Sequence, residues 1–224
     1  LLFTDGLWNA DSGYTTPGSN TNLDSTGTLT LGNSSDTPDP VNPVPTAYTP
    51  RAPYKDVSAS VSASYTNSNG LADTALYYWA TDLNPALANK IPPSMIDFTG
   101  SPNDQFWNPK NDPATWQHMV NYSIGLGLKQ TLVKNCSYYN NDTGSYSNDP
   151  NNPTPGCPVW AGDTYAGGVD GYDGLKNGVR NWPKIDDTPG TNDAPDGHVY
   201  DLWHMAINSR GKFYSADSPD ELVK

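Results

Sequence analysis

The residues that could do chemistry in this chain are mostly carboxylates: 24 Asp and Glu stand against 12 Lys and Arg and 3 His. The first candidate is Asp5. Leu1-Leu2-Phe3-Thr4 is apolar or β-prone and runs directly into Asp5-Gly6. That pattern predicts a buried strand ending in a carboxylate, at the sheet edge where open α/β folds keep their ligand sites. The second candidate is the trio Asp163, Asp170 and Asp173, in a run rich in glycine. Their spacing suggests a calcium loop, but Ca²⁺ takes six to eight oxygens and the register is not that of an EF-hand, so a solvated turn is the stronger reading. Asp186, Asp187, Asp193 and Asp196 read as another solvated loop. His118, His198 and His204 have no partner at metal-ligand spacing, and His204 reads as a packing or surface residue. No Gly-x-Ser-x-Gly elbow and no phosphate loop is present, so no catalytic residue is nominated. A hydrolase using paired carboxylates ranks last among the functional readings.

Charge and cysteine content narrow the context. The formal charge of −12 repels phosphate backbones and argues against nucleic acid as a partner. No apolar run approaches the roughly 20 residues that cross a bilayer. Cys136 and Cys157 enclose a polar stretch rich in Asn, Asp, Tyr and Pro. A disulfide there would stabilise by about 3 kcal/mol in the chain-entropy model and would imply an extracellular setting. Tyr138, Tyr139 and Tyr146 lie inside that loop. Aromatic side chains on polar loops give contact area at low entropic cost, so these three are the candidate binding residues. The abrupt apolar start, with no initiator Met and no leader, reads as the interior of a longer secreted protein.

The elements that must position these groups follow from periodicity. Thr28–Leu31 and Val57–Tyr65 alternate with period two and predict a β-hairpin, joined by a proline-rich linker at 36–53. Leu71, Ala72, Ala75, Leu76, Trp79 and Leu83 share one helical face, and Pro85 ends the helix. Met119–Gly127 reads as a strand buried on both sides. Val199, Leu202, Trp203, Ala206 and Ile207 mark an amphipathic helix, with Asp201 in its first turn and Gly211 placed to end it. Lys212–Ala216 is a strand, and Ser218-Pro219-Asp220-Glu221 is a capping box that opens a further helix. Strand and helix alternate, which predicts a parallel sheet with helices on both faces.

Several of these runs carry a family resemblance. Thr4-Asp5-Gly6, Tyr122–Gly127 and Gly211–Ala216 followed by Pro219–Leu222 resemble the second half of a von Willebrand factor A domain. Leu71–Trp79 with Thr81–Leu83, Asp112–Val120 and Asp201–Gly211 resemble the PilY/PilC family of type IV pilus tip-associated proteins. The resemblance implies an α/β, von Willebrand factor A-like partial domain over residues 1–224, with insertions at about 12–68 and 134–195. It implies an extracellular pilus-tip protein that binds a host or abiotic surface, or that docks minor pilins as a scaffold. It also implies that Asp5 contributes to a Mg²⁺ or Ca²⁺ site, one carboxylate of an incomplete set. A half-domain would expose an apolar sheet face, to be covered by an upstream fragment or a neighbouring subunit.

Overall fold

The computed structural model describes residues 2–4, 22–26, 28–32, 45–56, 70–128, 132, 139–140, 145–146, 157–183 and 196–216. Its centre is a three-stranded parallel sheet in the order β1-β4-β7. Strand β1 (Leu2–Thr4) pairs with β4 (Tyr122–Leu126), Leu2 beside Ser123 and Thr4 beside Gly125. Strand β7 (Lys212–Ala216) pairs with the other edge of β4, Phe213 beside Ser123. The predicted α/β class and parallel sheet are therefore present.

One face of this sheet carries the long helix α5 (Asp196–Asn208). Alternation along the strands decides what each face shows. Ser123, Gly125 and Phe213 turn inward and are buried, and Ser123 Oγ donates to the Leu202 carbonyl of α5 at 3.1 Å. Tyr122, Leu126 and Tyr214 are exposed. Strand β4 is thus buried on one side rather than on both. The outer edge of β7 is closed by a side chain. Thr164 Oγ1 donates to the Phe213 carbonyl at 2.8 Å and accepts from the Phe213 amide at 2.9 Å, which satisfies groups a free edge would leave open.

Helix α2 (Leu71–Ala80) packs against α5. Ala72, Ala75, Leu76 and Trp79 form its buried face as the periodicity predicts, while Leu83 lies beyond the helix end and is exposed. Helix α5 departs from an amphipathic pattern. Besides Val199, Leu202, Trp203, Ala206 and Ile207 it buries Tyr200, Asp201, His204, Met205 and Asn208. It is a central helix surrounded by protein, so its polar residues need internal partners.

Both proposed insertions supply core residues. From the first come Leu23 in the short helix α1 (Leu23–Thr26), together with Leu31, Tyr48 and Tyr54. From the second come Cys157, Trp160, Leu175 in the short helix α4 (Tyr172–Lys176), and Trp182. The strand predicted at Thr28–Leu31 forms as β2 (Leu29–Thr30). Its antiparallel partner is β3 (Ala47–Tyr48), inside the supposed proline-rich linker. Residues 57–65, expected to pair with it, and the capping box at 218–221 lie outside the described residues. Tryptophan rings dominate the packing. Trp203 meets Trp160 edge-on at 4.9 Å and Trp182 at 5.3 Å, and Trp79 meets Trp116 at 5.7 Å.

Candidate functional site

The most unusual chemistry lies where α1, α2 and α5 meet. A small cavity, about 10 Å³, is lined by Asp24, Asp56, Asp73, Asp201, His204, Tyr200 and Trp182, among others. All four carboxylates are buried. Buried charges require pairing or neutralisation, and the structure supplies both.

Pairing comes from helix ends. The first amides of a helix lack internal acceptors. Asp201, on α5, accepts from Leu71 N at 2.7 Å and from Ala72 N at 3.1 Å, and so caps α2 from outside. Gly70, at the N-cap of α2, offers no side chain for the task. Asp73, on α2, accepts from Asp24 N at 3.0 Å and so serves α1 in turn. Each helix thus carries the carboxylate that caps the next. Asn208 extends the ladder by donating to Asp24 Oδ2 at 3.1 Å and to the Ala72 carbonyl at 3.2 Å.

Neutralisation is favoured by burial and by the crowding of like charges. Ser25 Oγ lies 2.8 Å from Asp24 Oδ1, also bonds Asp56 Oδ1, and accepts from the Asp56 amide at 3.0 Å. One hydroxyl proton cannot serve two carboxylates. Two buried acids sharing one hydroxyl proton favour protonation of one of them. Burial, with the nearby Asp56 and Asp73 charges, pushes Asp24 well above the carboxylate range. Burial and Asp56 do the same to Asp73. His204 completes the lining. Burial depresses it to about 3, so the ring is neutral. Its Nε2–H donates to the Tyr54 carbonyl at 2.6 Å, and the ring stacks on Trp182 at 4.4 Å. Asp24 Oδ2 lies 3.3 Å from the same nitrogen. That is ion-pair distance, but with the imidazole neutral the contact is not an ion pair. The cavity is of single-water size.

A second polar centre surrounds Arg210. Helix α5 closes with a Schellman motif: Gly211 N donates to the Ala206 carbonyl and Arg210 N to that of Ile207. The left-handed position is taken by Arg210, at φ 64°, and not by the expected Gly211. Gly211 is needed for another reason, since a Cβ there would sit 1.8 Å from the Asn121 carbonyl oxygen. The Arg210 guanidinium is buried against the rings of Trp79 (4.3 Å) and Tyr54 (4.7 Å) and bonds the Tyr54 hydroxyl. Cation–π contact offsets part of its desolvation. A third group pairs His118 Nε2 with Asp112 Oδ2 at 2.8 Å, while His118 Nδ1 lies 2.7 Å from the Trp116 carbonyl. Both ring nitrogens face acceptors, which suits an imidazolium. Burial pulls His118 down, but its hydrogen bonds to Asp112 and to the Trp116 carbonyl, with the Asp112 charge, together outweigh it and the net shift is upward.

The residues nominated from sequence fall elsewhere. Asp5 and Tyr138 lie outside the described residues. Tyr139 and Tyr146 stand opposite each other in the backbone register of strands β5 (Tyr139–Asn140) and β6 (Ser145–Tyr146). Asp163 accepts from Tyr165 N and lies 3.8 Å from Lys212 Nζ; Asp170 pairs with Arg180; Asp173 sits in the first turn of α4. The trio does not converge, and among the described residues no group of three or more His, Cys, Asp or Glu could hold a metal ion. Cys157 is buried, its Sγ 3.5 Å from the Tyr200 hydroxyl. Cys136 lies outside the described residues.

Sequence reasoning missed Asp24, Asp56 and Asp73. One signal was available: Asp73 stands three residues before Leu76 and seven before Ala80, on the buried face of α2.

The site therefore defines a structural polar core in an α/β body, with its chemistry turned inward. Comparison with known proteins shows what it resembles. The chain is 38% identical, over all 224 residues, to the type IV pilus biogenesis factor PilY1 of Pseudomonas aeruginosa strain UCBPP-PA14. It is 39% and 36% identical, over the same span, to the proteins of that name from strains PAK and PAO1. It spans about 15% of the length of the first relative and 14% of the other two. No family model and no solved structure matches it. The chain is PilY1-like along its whole length.

Proposed function

We propose that this chain serves type IV pilus biogenesis as a binding body of an extracellular, tip-associated protein. The observation that carries the reading is identity along the whole chain to relatives whose names state that role. The inward-turned polar core supports binding over catalysis, because its cavity has room for about one water and not for a substrate. We assign Cys157 to a disulfide, which suits an oxidising, extracellular setting. The chain has two cysteines, so we assign Cys136 as the partner, which closes the loop 137–156 carrying Tyr138, Tyr139 and Tyr146.

In this reading the closed loop is the contact surface of an adhesin or assembly component. Its ligand is a host or abiotic surface, or a minor pilin. The parallel sheet is the later half of a von Willebrand factor A-like domain, and Asp5 supplies one oxygen to a Mg²⁺ or Ca²⁺ whose other ligands come from elsewhere in the protein. Deleting 137–156 from the full-length protein, with the thermal transition retained, tests the surface assignment. Loss of surface adhesion or of minor-pilin binding supports it, and unchanged values of both refute it. The competing scaffold reading predicts that only minor-pilin binding falls.

A further inference from the structure

We propose that His118 and Asp112 form a proton-operated clasp, which fixes the loop 83–94 on the body and lets it loosen as the surroundings turn alkaline. The device involves neither the loop 137–156 nor the binding role assigned to it.

The first observation is the route of the chain. Residues 112–118 form a strap across the end of α2. Trp116 Nε1 donates to the Trp79 carbonyl at 2.7 Å, and Met119 N donates to that of Tyr78 at 3.0 Å. Asp112 Oδ1 accepts from Trp79 Nε1 at 3.1 Å. The loop 83–94 then hangs on this strap. Leu83 N donates to the Gln117 carbonyl at 2.8 Å and Ile91 N to that of Thr115 at 2.9 Å, while Ser94 and Asp112 exchange two backbone bonds at 2.8 Å each. Gln117 Nε2 adds a bond to the Ala88 carbonyl at 3.2 Å. The loop contains no helix or strand of its own, and Pro85, Pro92 and Pro93 have no amide to donate. What holds the strap therefore holds the loop, together with its exposed Leu83 and Leu87.

The second observation is how the strap is closed. The His118 ring ties its end back to its start. Nε2 lies 2.8 Å from Asp112 Oδ2, and Nδ1 lies 2.7 Å from the Trp116 carbonyl oxygen. A carboxylate and a carbonyl only accept. An imidazolium has an N–H for each. A neutral ring has one, and must turn a lone pair toward the other oxygen, whichever tautomer forms. The His118 side chain is only 5% exposed, so water has little room to replace the lost bond, and an unmade bond at such a site is costly. Loss of one proton thus opens one side of the clasp.

The charged surroundings favour the closed form. Asp112, on the same segment, stabilises the cation. Arg210, from beyond the end of α5, opposes it; its guanidinium lies over Trp79 at 4.3 Å. The net effect is a His118 held above its usual 6.5. The clasp is therefore complete below pH 6.5 and is lost as pH rises through the raised folded value. Helix α3 (Pro102–Phe106) lies outside this circuit, because its capping box between Ser101 and Asp104 is self-contained.

Hydrogen–deuterium exchange of the full-length protein tests the clasp, read by mass spectrometry from pH 6 to pH 9 and corrected for intrinsic rates. Protection of the Leu83, Ile91 and Ser94 amides should fall across this range, by about tenfold for each pH unit by which the folded value exceeds 6.5. Helices α3 and α5 should keep theirs. His118→Gln cannot titrate and should make the loop's protection the same throughout. Asp112→Asn keeps an oxygen for Trp79 but removes the charge, and should move the midpoint to lower pH. Constant loop protection in the parent protein, a fall that survives in His118→Gln, a midpoint unmoved in Asp112→Asn, or a fall shared equally by α5 would each overturn the proposal.

Discussion

At the scale of residues, the distinctive choice is to bury acids and satisfy them with helix ends. Asp201 accepts from two amides of a helix 130 positions earlier in the chain. Replacing it by alanine leaves those donors buried and unpaired, at a cost of about 1–3 kcal/mol. In urea unfolding Asp201→Ala should be clearly destabilised, and Asp201→Asn, which keeps one acceptor oxygen, should lose less. The burial and crowding of Asp24 lead to a second expectation. Asp24 binds its proton more tightly when folded than its usual value of 3.8 allows. Its contribution to stability is therefore full below about pH 3.8 and is lost as pH rises through the raised folded value. Asp24→Asn mimics the protonated acid, so relative to wild type it should be more favourable at pH 8 than at pH 4. His118 has the same sign in a higher window. Its contribution is present below its usual 6.5 and disappears as pH rises past its raised folded value. His118→Ala should therefore cost more at pH 5 than at pH 9. None of these acids announces itself in sequence. Asp24 and Asp56 stand in polar segments where a solvated carboxylate is the ordinary reading, and their partners lie tens of residues away.

At the scale of elements, local pattern and tertiary demand separate cleanly. Helix α2 was legible because its apolar residues repeat with the helical period, while β4 and β7 were legible as strands although β4 read as buried on both sides. Strand β3 was not. Two residues between Pro45 and Pro50 have no period, and what fixes them is Tyr48, fully buried with its hydroxyl donating to the Asp24 carbonyl. Helix α5 was legible as a helix but not as a central one, because Asp201, His204 and Asn208 read as a solvent face until their internal partners are seen. Gly211 was legible as a helix end, yet its necessity is steric. Its α-carbon abuts the Asn121 carbonyl, just ahead of β4. Gly211→Ala must force α5 and β4 apart. It should lower the thermal midpoint well beyond the few degrees of a surface change, or prevent folding outright, as followed by circular dichroism.

At the scale of the molecule, one sheet face is covered by α5 while Tyr122, Leu126 and Tyr214 remain exposed on the other. Parallel sheets are ordinarily covered on both sides, so in our account the exposed face meets other polypeptide in the working protein. The alternation of strand and helix made the parallel sheet readable from sequence, but the packing of residues 22–56 and 157–183 into its core was not. Those segments are held by single tryptophans and tyrosines rather than by repeating patterns. In our account this acidic body, its polar groups satisfied inward, works as one part of a larger assembly. The most direct test is an exchange in Pseudomonas aeruginosa, in which this chain replaces the matching segment of PilY1 and surface pili are counted by electron microscopy. Our account predicts that piliation returns to near the parental level. A chimera that is exported and protease-resistant yet leaves the cells without pili would contradict it.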